Sequence, residues 1–276
     1  MLIKFTKMHG LGNDFVVIDG ISQAVTITPK IAKKLGDRNF GIGCDQILIV
    51  ESPSRPDVDF RYRIFNNNGQ EVEQCGNGAR CFAKFVHNRK LTGKSNILVE
   101  TKNGIIKIRL LHDGLVQVNM GAPELEPNRI PLDADKQEIL YKVPFEKSQI
   151  LLSAISMGNP HAVLIVDDTA SASVKLMGEV ISKNSMFPKE AHVGFMQIIN
   201  PTEINLRVYE RGCGETLACG SGACAAVVAG QLQGLLETTV RVNLTGGSLF
   251  IEWAGNSHPV MMTGKAATVF HGQIYI

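Results

Sequence analysis

An internal repeat is the feature of this sequence that most restricts how the chain can fold. Residues 62–84 align without a gap on residues 206–228, at a constant offset of 144. Self-similarity at a fixed offset indicates a duplicated structural unit. The identical pairs in the alignment include Arg63/Arg207, Glu71/Glu215, Cys75/Cys219, Gly76/Gly220, Gly78/Gly222 and Ala79/Ala223.

Two weaker similarities support the same duplication. Gly12-Asn13 precedes an apolar run, as does Gly158-Asn159, and residues 43–47 (GCDQI) resemble residues 194–198 (GFMQI). All three similarities occur in the same order in both halves, which chance resemblance between glycine-rich loops does not explain. We therefore expect two similar domains.

The local patterns predict one central helix and several short strands in each half. We expect a helix from after Cys75 to about Arg89 and its counterpart from after Cys219 to about Leu235. The second of these has no polar face before Gln231, so it should be buried on every side. Further helices are expected at 28–36, where Thr-Pro is a typical helix start, and at 168–183. Strands are expected at 2–5, 15–18, 60–65, 97–100, 105–110, 116–119, 204–209, 239–243 and 248–253.

These elements predict an α/β (α+β) fold of two pseudo-symmetric domains. Each domain is expected to be a mostly antiparallel, barrel-like sheet around a central helix. Residues 1–119 form the first half, which carries Cys75, and residues 120–264 form the second, which carries Cys219.

Composition and charge argue against several classes of function. The hydrophobic fraction is 44%, the charged fraction 20% and the formal net charge +2, with both signs interspersed. Such a chain lacks the basic stripe of a nucleic-acid-binding protein. No apolar run is long enough to span a bilayer, and the first residues do not resemble a signal peptide. We therefore expect no membrane and no nucleic-acid partner, and a cytoplasmic location.

The six cysteines are expected to be reduced rather than paired. A chain of 276 residues without a secretion signal does not resemble a disulfide-stapled domain. Their spacings contain no CxxC pair and match no structural zinc site, so we expect no metal. Cys44, Cys81 and Cys224 fit small buried hydrophobic residues, whereas the sequence suggests no role for Cys213.

Cys75 and Cys219 each stand directly before a Gly-polar-Gly-Ala helix start. A helix N-terminus favours negative charge and should lower the pKa of the thiol. The glycines allow a ligand to approach the backbone, and the N–H groups of the first turn suit a carboxylate.

Two such thiols, related by a repeat, suggest acid–base chemistry on one small molecule. One thiolate can remove a proton from a carbon acid while the opposite thiol returns one, which inverts the stereocentre without a cofactor. Three alternatives remain: a proline- or hydroxyproline-type racemase, a thiol oxidoreductase using the cysteines as a redox couple, and a catalytically silent ligand-binding protein.

The sequence resembles the diaminopimelate epimerases over essentially its whole length. The resemblance is carried by five blocks: MHGLGNDF (8–15), GIGCDQ (41–46), YRIFNNNGQEVEQCGNGARC (62–81), SMGNPH (156–161) and YERGCGETLACGSGACAA (209–226). It implies reversible conversion of LL- to meso-2,6-diaminopimelate in lysine and peptidoglycan precursor biosynthesis, without pyridoxal phosphate. It also implies a homodimer, and a last strand (265–276) that returns to the first domain, with the active site in the cleft between the domains.

The resemblance also assigns roles to individual residues. Cys75 and Cys219 would be the acid and base, with His161 and Glu210 tuning their pKa values. Arg211 is the natural partner of the distal carboxylate, because its planar fork can bind both oxygens. Substrate contacts would come from Asn13, Gln46, Asn66, Gly76, Asn77, Asn159, His192, Glu210, Arg211, Gly220 and Ser221.

Several of these residues also have purely structural interpretations. Glu210-Arg211 fits an exposed loop pair, Asn13 and Asn66 fit turn chemistry, and His161 fits a structural histidine.

Two positions depart from the pattern of the family. His192 stands where the family usually has asparagine. Its imidazole can still donate to a carboxylate, but it is bulkier and ordinarily titrates near neutrality, so we expect substrate affinity or its pH dependence to differ. Phe270 stands where the family has a tyrosine linked to dimer formation, so its hydroxyl contact is lost.

Overall fold

The computed structural model describes residues 1–72, 75–145 and 148–276 of the chain. The chain divides into two compact units. The first contains Met1–Asn119 and Thr263–Ile276, and the second contains Met120–Met262. The chain thus returns to the first unit at Thr263, two residues before the Lys265 expected from the sequence.

The first unit places one long helix among paired strands. Its strands pair antiparallel in succession, except that β2 runs parallel to β3 and β4 runs parallel to β6. In chain order its elements are β1 (Leu2–Gly10), β2 (Asn13–Asp19), α1 (Pro29–Gly36), β3 (Gln46–Glu51), β4 (Phe60–Asn66), β5 (Glu71–Val72), α2 (Gly76–Asn88), β6 (Asn96–Thr101), β7 (Gly104–Leu110) and β8 (Val116–Asn119).

The second unit repeats this plan. Here β11 runs parallel to β12 and β13 runs parallel to β15, while the other strand pairs described within the unit are antiparallel. Its elements are a 3₁₀ turn (Pro127–Arg129), β9 (Tyr141–Phe145), β10 (Ser148–Ser156), β11 (Pro160–Ile165), α3 (Val174–Ser182), β12 (His192–Asn200), β13 (Glu203–Glu210), β14 (Gly214–Thr216), α4 (Gly220–Leu232), β15 (Thr239–Leu244) and β16 (Gly247–Glu252). Strand β17 (Met261–Gly264) begins in this unit and ends in the first. The last strand, β18 (Ala267–Tyr275), pairs antiparallel with β1 in the first unit.

The two units also share an equivalent Arg–Glu ion pair, so the repeat is seen in side-chain contacts as well as in the backbone. Arg63 and Glu71 on β4 and β5 meet with Nε 2.7 Å from Oε1, and Arg207 and Glu215 on β13 and β14 meet at the same distance. In both pairs a second bond joins Nη2 to Oε2. The predicted α/β fold of two similar, mostly antiparallel units, each with one central helix, is therefore confirmed.

The central helices are buried, as their sequences predict. Helix α2 packs on β1, β2, β3, β7 and β8, and α4 packs on β10, β11, β12, β13 and β16. Residues 222–230 of α4 are all buried. Its small side chains permit this close approach, because strands can then pack on every face of the helix. Among the described residues, no helix is both long and apolar enough to cross a bilayer.

Helix ends follow local chemistry more closely than periodicity. Thr28 caps α1 by accepting a hydrogen bond from Ile31 N at 3.3 Å, as the Thr-Pro start predicts. The prediction for 168–183 was wrong at its start, because α3 begins at Val174. The Asp168 carboxylate accepts from Ala170 N and Ser171 N, and this turn competes with helix formation.

Helix α4 also ends earlier than expected, at Leu232 rather than about Leu235. Gly234 has a φ of +72°, and Leu235 N donates to Gly230 O at 2.9 Å. A glycine in the left-handed conformation ends a helix in this way and satisfies its last carbonyls.

Candidate active site

Cys75 occupies the N-cap position of α2. Its Sγ accepts a hydrogen bond from Gly78 N at 3.5 Å, and the thiol is half-buried. Tyr62 Oη donates to Cys75 O at 3.2 Å and holds the backbone just before the helix. Gly76 is the first helical residue, so the thiol lies beside the N–H groups of the first turn.

Asn13 connects Cys75 to the rest of the first unit's site. Its Oδ1 accepts from Asn77 Nδ2 at 3.3 Å and lies 3.8 Å from Cys75 Sγ. Its Nδ2 donates to Asp45 Oδ2 at 2.9 Å, so the orientation of the amide is fixed. Asp45 was missed by the sequence interpretation, although it precedes Gln46 in the GIGCDQ block.

Gln46 and Asn66 face each other across β3 and β4. Gln46 Nε2 donates to Asn66 Oδ1 at 2.9 Å. Asn13 begins β2, Gln46 begins the parallel strand β3, and Asn66 ends the antiparallel strand β4, so the three amides lie at one edge of the sheet. Gln46 Oε1 is buried and has no hydrogen-bond partner among the described residues, so it can still accept one from a ligand.

A network of charged residues lies next to Asn13 and was missed by the sequence interpretation. It includes Asp45, the hydrogen-bond partner of Asn13. The Asp14 carboxylate lies 2.6 Å from Lys7 Nζ and 2.8 Å from Arg38 Nη2, which also contacts Asp45. Burial opposes ionisation of Asp14, but the hydrogen bonds from Arg38 and Lys7 outweigh it and lower its pKa from 3.8 to about 2.

Replacing Asp14 by asparagine should lower the free energy of unfolding at neutral pH by about 1 kcal/mol, since water screens this partly exposed network. A carboxyl whose pKa is lower in the folded state stabilises the fold above its unfolded pKa. This stabilisation is lost as pH falls from about 4 towards 2, so wild type and variant should converge there. Urea unfolding at several pH values measures the difference. With the exposed Asp135→Asn as control, a pH-independent difference at Asp14 would contradict the assignment.

Cys219 occupies the N-cap of α4, in an arrangement that parallels that of Cys75. Its Sγ lies 3.6 Å from Ser221 Oγ, and Ser221 Oγ accepts from Asn159 Nδ2 at 3.4 Å. Asn159 and Ser221 are the repeat counterparts of Asn13 and Asn77, which form the same kind of contact beside Cys75. Gly220 begins α4, as Gly76 begins α2.

Two stacked histidines form one wall of the second unit's site. The rings of His161 and His192 lie 5.0 Å apart with an interplanar angle of 27°, and His161 Nε2 lies 3.1 Å from Asn159 Oδ1. Burial and the Arg211 charge lower the pKa of His192 to about 4, and burial lowers that of His161 well below 6.5. The expectation that His192 titrates near neutrality was therefore wrong, because its imidazole is neutral once buried.

Glu210 and Arg211 follow each other at the end of β13 but have different surroundings. Glu210 Oε1 accepts from Thr216 Oγ1 at 2.6 Å, and its Oε2 lies 3.7 Å from His192 Nδ1. Thr216 was not singled out from the sequence, but it lies across the β13–β14 hairpin. Arg211 Nη1 donates to Lys189 O at 2.7 Å.

The expected low pKa of Cys219 is not found. Burial, and next the charge of Glu210, raise its pKa well above the ordinary 9.0, against the hydrogen bond from Ser221. A helix N-terminus contributes at most about 2 kcal/mol, equivalent to about 1.5 pKa units. Full burial shifts a pKa by about 3–5 units, so it outweighs the helix. Cys219 thus carries its proton at neutral pH.

The other cysteines differ from these two in their surroundings. Cys44, Cys81 and Cys224 are buried, and burial raises the pKa of Cys44 and of Cys81 to about 12. Cys213 is exposed in the turn after β13.

One set of side chains could hold a metal ion. Within the part of the chain that the structure describes, His192, Glu210 and Cys219 form the only group of three whose donor atoms all lie within 4.8 Å of one another.

Comparisons with known proteins give one consistent result. The model of the family described as diaminopimelate epimerase matches residues 5–126 and 153–269. A diaminopimelate epimerase of Teredinibacter turnerae is 59% identical over 274 residues, and one of Pseudomonas aeruginosa is 56% identical over 274 residues. Each alignment covers 99% of this chain and 99% of the relative.

Solved structures show that the fold is shared more widely. A hydroxyproline epimerase from Agrobacterium vitis, with bound trans-4-hydroxy-L-proline, has a TM-score of 0.70 at 14% identity, covering 99% of this chain and 92% of that one. A PhzF-family phenazine biosynthesis protein from Enterococcus faecalis has a TM-score of 0.71 at 13% identity, covering 100% of both chains. At these identities the likeness concerns the fold alone.

Proposed function

Because the chain belongs to the diaminopimelate epimerase family, we propose that its two N-cap cysteines, Cys75 and Cys219, carry the two proton transfers of epimerisation. The reaction converts LL-2,6-diaminopimelate to meso-diaminopimelate, in lysine and peptidoglycan precursor biosynthesis. The observation that carries the assignment is the matched surroundings of the two thiols. Each occupies the N-cap position of a central helix. Each also lies next to a side chain, Asn77 or Ser221, that is hydrogen-bonded to an asparagine, Asn13 or Asn159.

In this mechanism the two thiols act on opposite faces of one α-carbon. A thiolate removes the α-proton from one face, and the other thiol donates its proton to the opposite face, which inverts the centre. The raised pKa of Cys219 keeps a proton available for donation in the substrate-free enzyme. In the reverse reaction the two cysteines exchange roles.

The surrounding groups suit the charges of the substrate. We assign the reacting α-carboxylate to the N–H groups that begin α2 and α4, at Gly76-Asn77 and Gly220-Ser221, since a helix N-terminus stabilises an anion there. Glu210 would accept from an ammonium group, and Arg211 would bind the distal carboxylate after releasing Lys189 O. Further polar contacts to the substrate would come from Asn13, Gln46, Asn66, Asn159 and His192.

Deuterium incorporation from heavy water tests this function directly. Incubation with the LL isomer should place deuterium at the inverted α-carbon of the meso product, because the proton comes from a thiol that exchanges with solvent. L-Proline and hydroxyproline serve as comparison substrates and should incorporate little deuterium. Faster exchange with either of them than with diaminopimelate would assign the protein to the racemases of those amino acids instead.

We further propose that the enzyme is a cytoplasmic homodimer that associates through β18. Thiol acid–base chemistry requires reduced cysteines, which the cytoplasm maintains. Strand β18 exposes Val269 and Phe270, at 57% and 46%, and an exposed apolar strand is a typical association surface. Val269→Lys should therefore shift the sedimentation coefficient from dimer to monomer, and an unchanged coefficient would reject this interface.

A further inference from the structure

Three side chains of types that bind metals, Cys219 among them, come together from three different elements. His192 begins β12, Glu210 ends β13, and Cys219 occupies the N-cap position of α4. Their donor atoms lie within 4.8 Å of one another, with His192 Nδ1 3.7 Å from Glu210 Oε2. Imidazole, carboxylate and thiolate are the ligands that zinc takes in proteins. Donors bound tetrahedrally at about 2.0–2.3 Å stand about 3.2–3.8 Å apart, so only small side-chain movements separate this group from that geometry.

The state of His192 is an independent indication of a ligand. The residue is only 7% exposed, and its Nδ1 has no hydrogen-bond partner among the described residues. A buried polar atom left without a partner costs about 1–3 kcal/mol. The ring stacks on His161, and its Nδ1 lies 3.7 Å from Glu210 Oε2.

We propose that His192, Glu210 and Cys219 bind Zn²⁺ and that the bound ion competes with the substrate. The competition rests on the proposed function, whereas the binding does not. Cys219 would bind as the thiolate and release its proton to solvent, so Sγ could no longer donate a proton to an α-carbon. Three protein ligands leave one tetrahedral position for water. Because zinc-bound Cys219 cannot donate a proton, zinc binding at this site inhibits epimerisation and makes the enzyme sensitive to free zinc.

Cobalt and zinc binding test the site without reference to catalysis. Co²⁺ bound to the intact protein should show tetrahedral d–d bands and a thiolate-to-cobalt charge-transfer band, and Zn²⁺ should displace it. His192→Asn keeps a polar side chain but removes the imidazole. It should weaken Zn²⁺ binding, measured calorimetrically, by at least about 100-fold, because losing even a supporting partner of a ligand costs about 10–100-fold. Cys213→Ser is the matched control, since it removes the exposed thiol near the same hairpin, and it should bind normally.

The competing outcomes are distinct. Unchanged zinc affinity in His192→Asn, or a cobalt spectrum without the thiolate band, would overturn the site. In the wild type, Zn²⁺ should raise the apparent KM for diaminopimelate without changing kcat, and chelation should restore the rate. Inhibition independent of substrate concentration would overturn the competition. A protein that binds cobalt as expected but never epimerises would contradict the proposed function and support the metal site.

Discussion

Replacing either Cys75 or Cys219 by alanine is expected to lower kcat for diaminopimelate epimerisation by about 10²–10⁴-fold, the contribution of a positioned acid or base. Each thiol serves one face of the substrate, so neither can do the work of the other. The rate is measured as formation of the meso isomer from the LL isomer. Loss at both positions by similar factors would support a division of the reaction between two bases.

A third cysteine offers a matched control for this experiment. Cys81 is buried in α2, and the aligned position in α4 is Ala225, so the repeat itself shows that alanine fits such a site. Cys81→Ala should keep nearly full activity. If Cys75→Ala or Cys219→Ala behaved like Cys81→Ala, the two-thiol mechanism would be wrong.

Glu210→Gln should make the Cys219 thiol more acidic and the enzyme slower at the same time. The charge of Glu210 is, after burial, the main cause that raises the pKa of Cys219, so its removal lowers that pKa. Glu210 is also the proposed acceptor for a substrate ammonium. We expect kcat/KM to fall by about 10²-fold, since leaving a buried hydrogen-bonded charge of a ligand unpaired costs about 2–5 kcal/mol.

Ultraviolet titration of the thiolate separates the acidity of Cys219 from the rate. The difference between proteins with and without Cys219→Ser isolates this thiol, and comparing that difference in wild type and in Glu210→Gln gives the direction of the pKa change. The matched control is Glu215→Gln on the same hairpin, whose carboxylate binds Arg207 instead. An unchanged or higher thiol pKa in Glu210→Gln would contradict the electrostatic role of Glu210.

Structural features that depend on a few consecutive residues, such as helix starts, could be predicted well from the sequence. The cysteine before Gly-polar-Gly-Ala marks the start of each central helix, and the Thr-Pro pair marks the start of α1, because capping depends on a few consecutive residues. Periodicity could not place the end of α4 at Leu232, which the left-handed Gly234 sets, or the start of α3 at Val174, which follows the turn formed by Asp168.

The network of charged residues next to Asn13 could not be predicted from the sequence. Lys7, Asp14 and Arg38 come from a strand, the next strand and the turn after α1, and only folding brings them together behind Asn13. Nothing in their spacing distinguishes them from exposed charged residues.

The sequence by itself determined the duplication, the strand plan that both units share and the position of each thiol at a helix start. These properties follow from short-range patterns that occur twice in the chain. Only the tertiary structure decided the protonation of Cys219, the neutrality of His192 and the meeting of both with Glu210. Protonation depends on burial, and metal-binding geometry depends on side chains from separate elements, so neither is set by spacing along the chain.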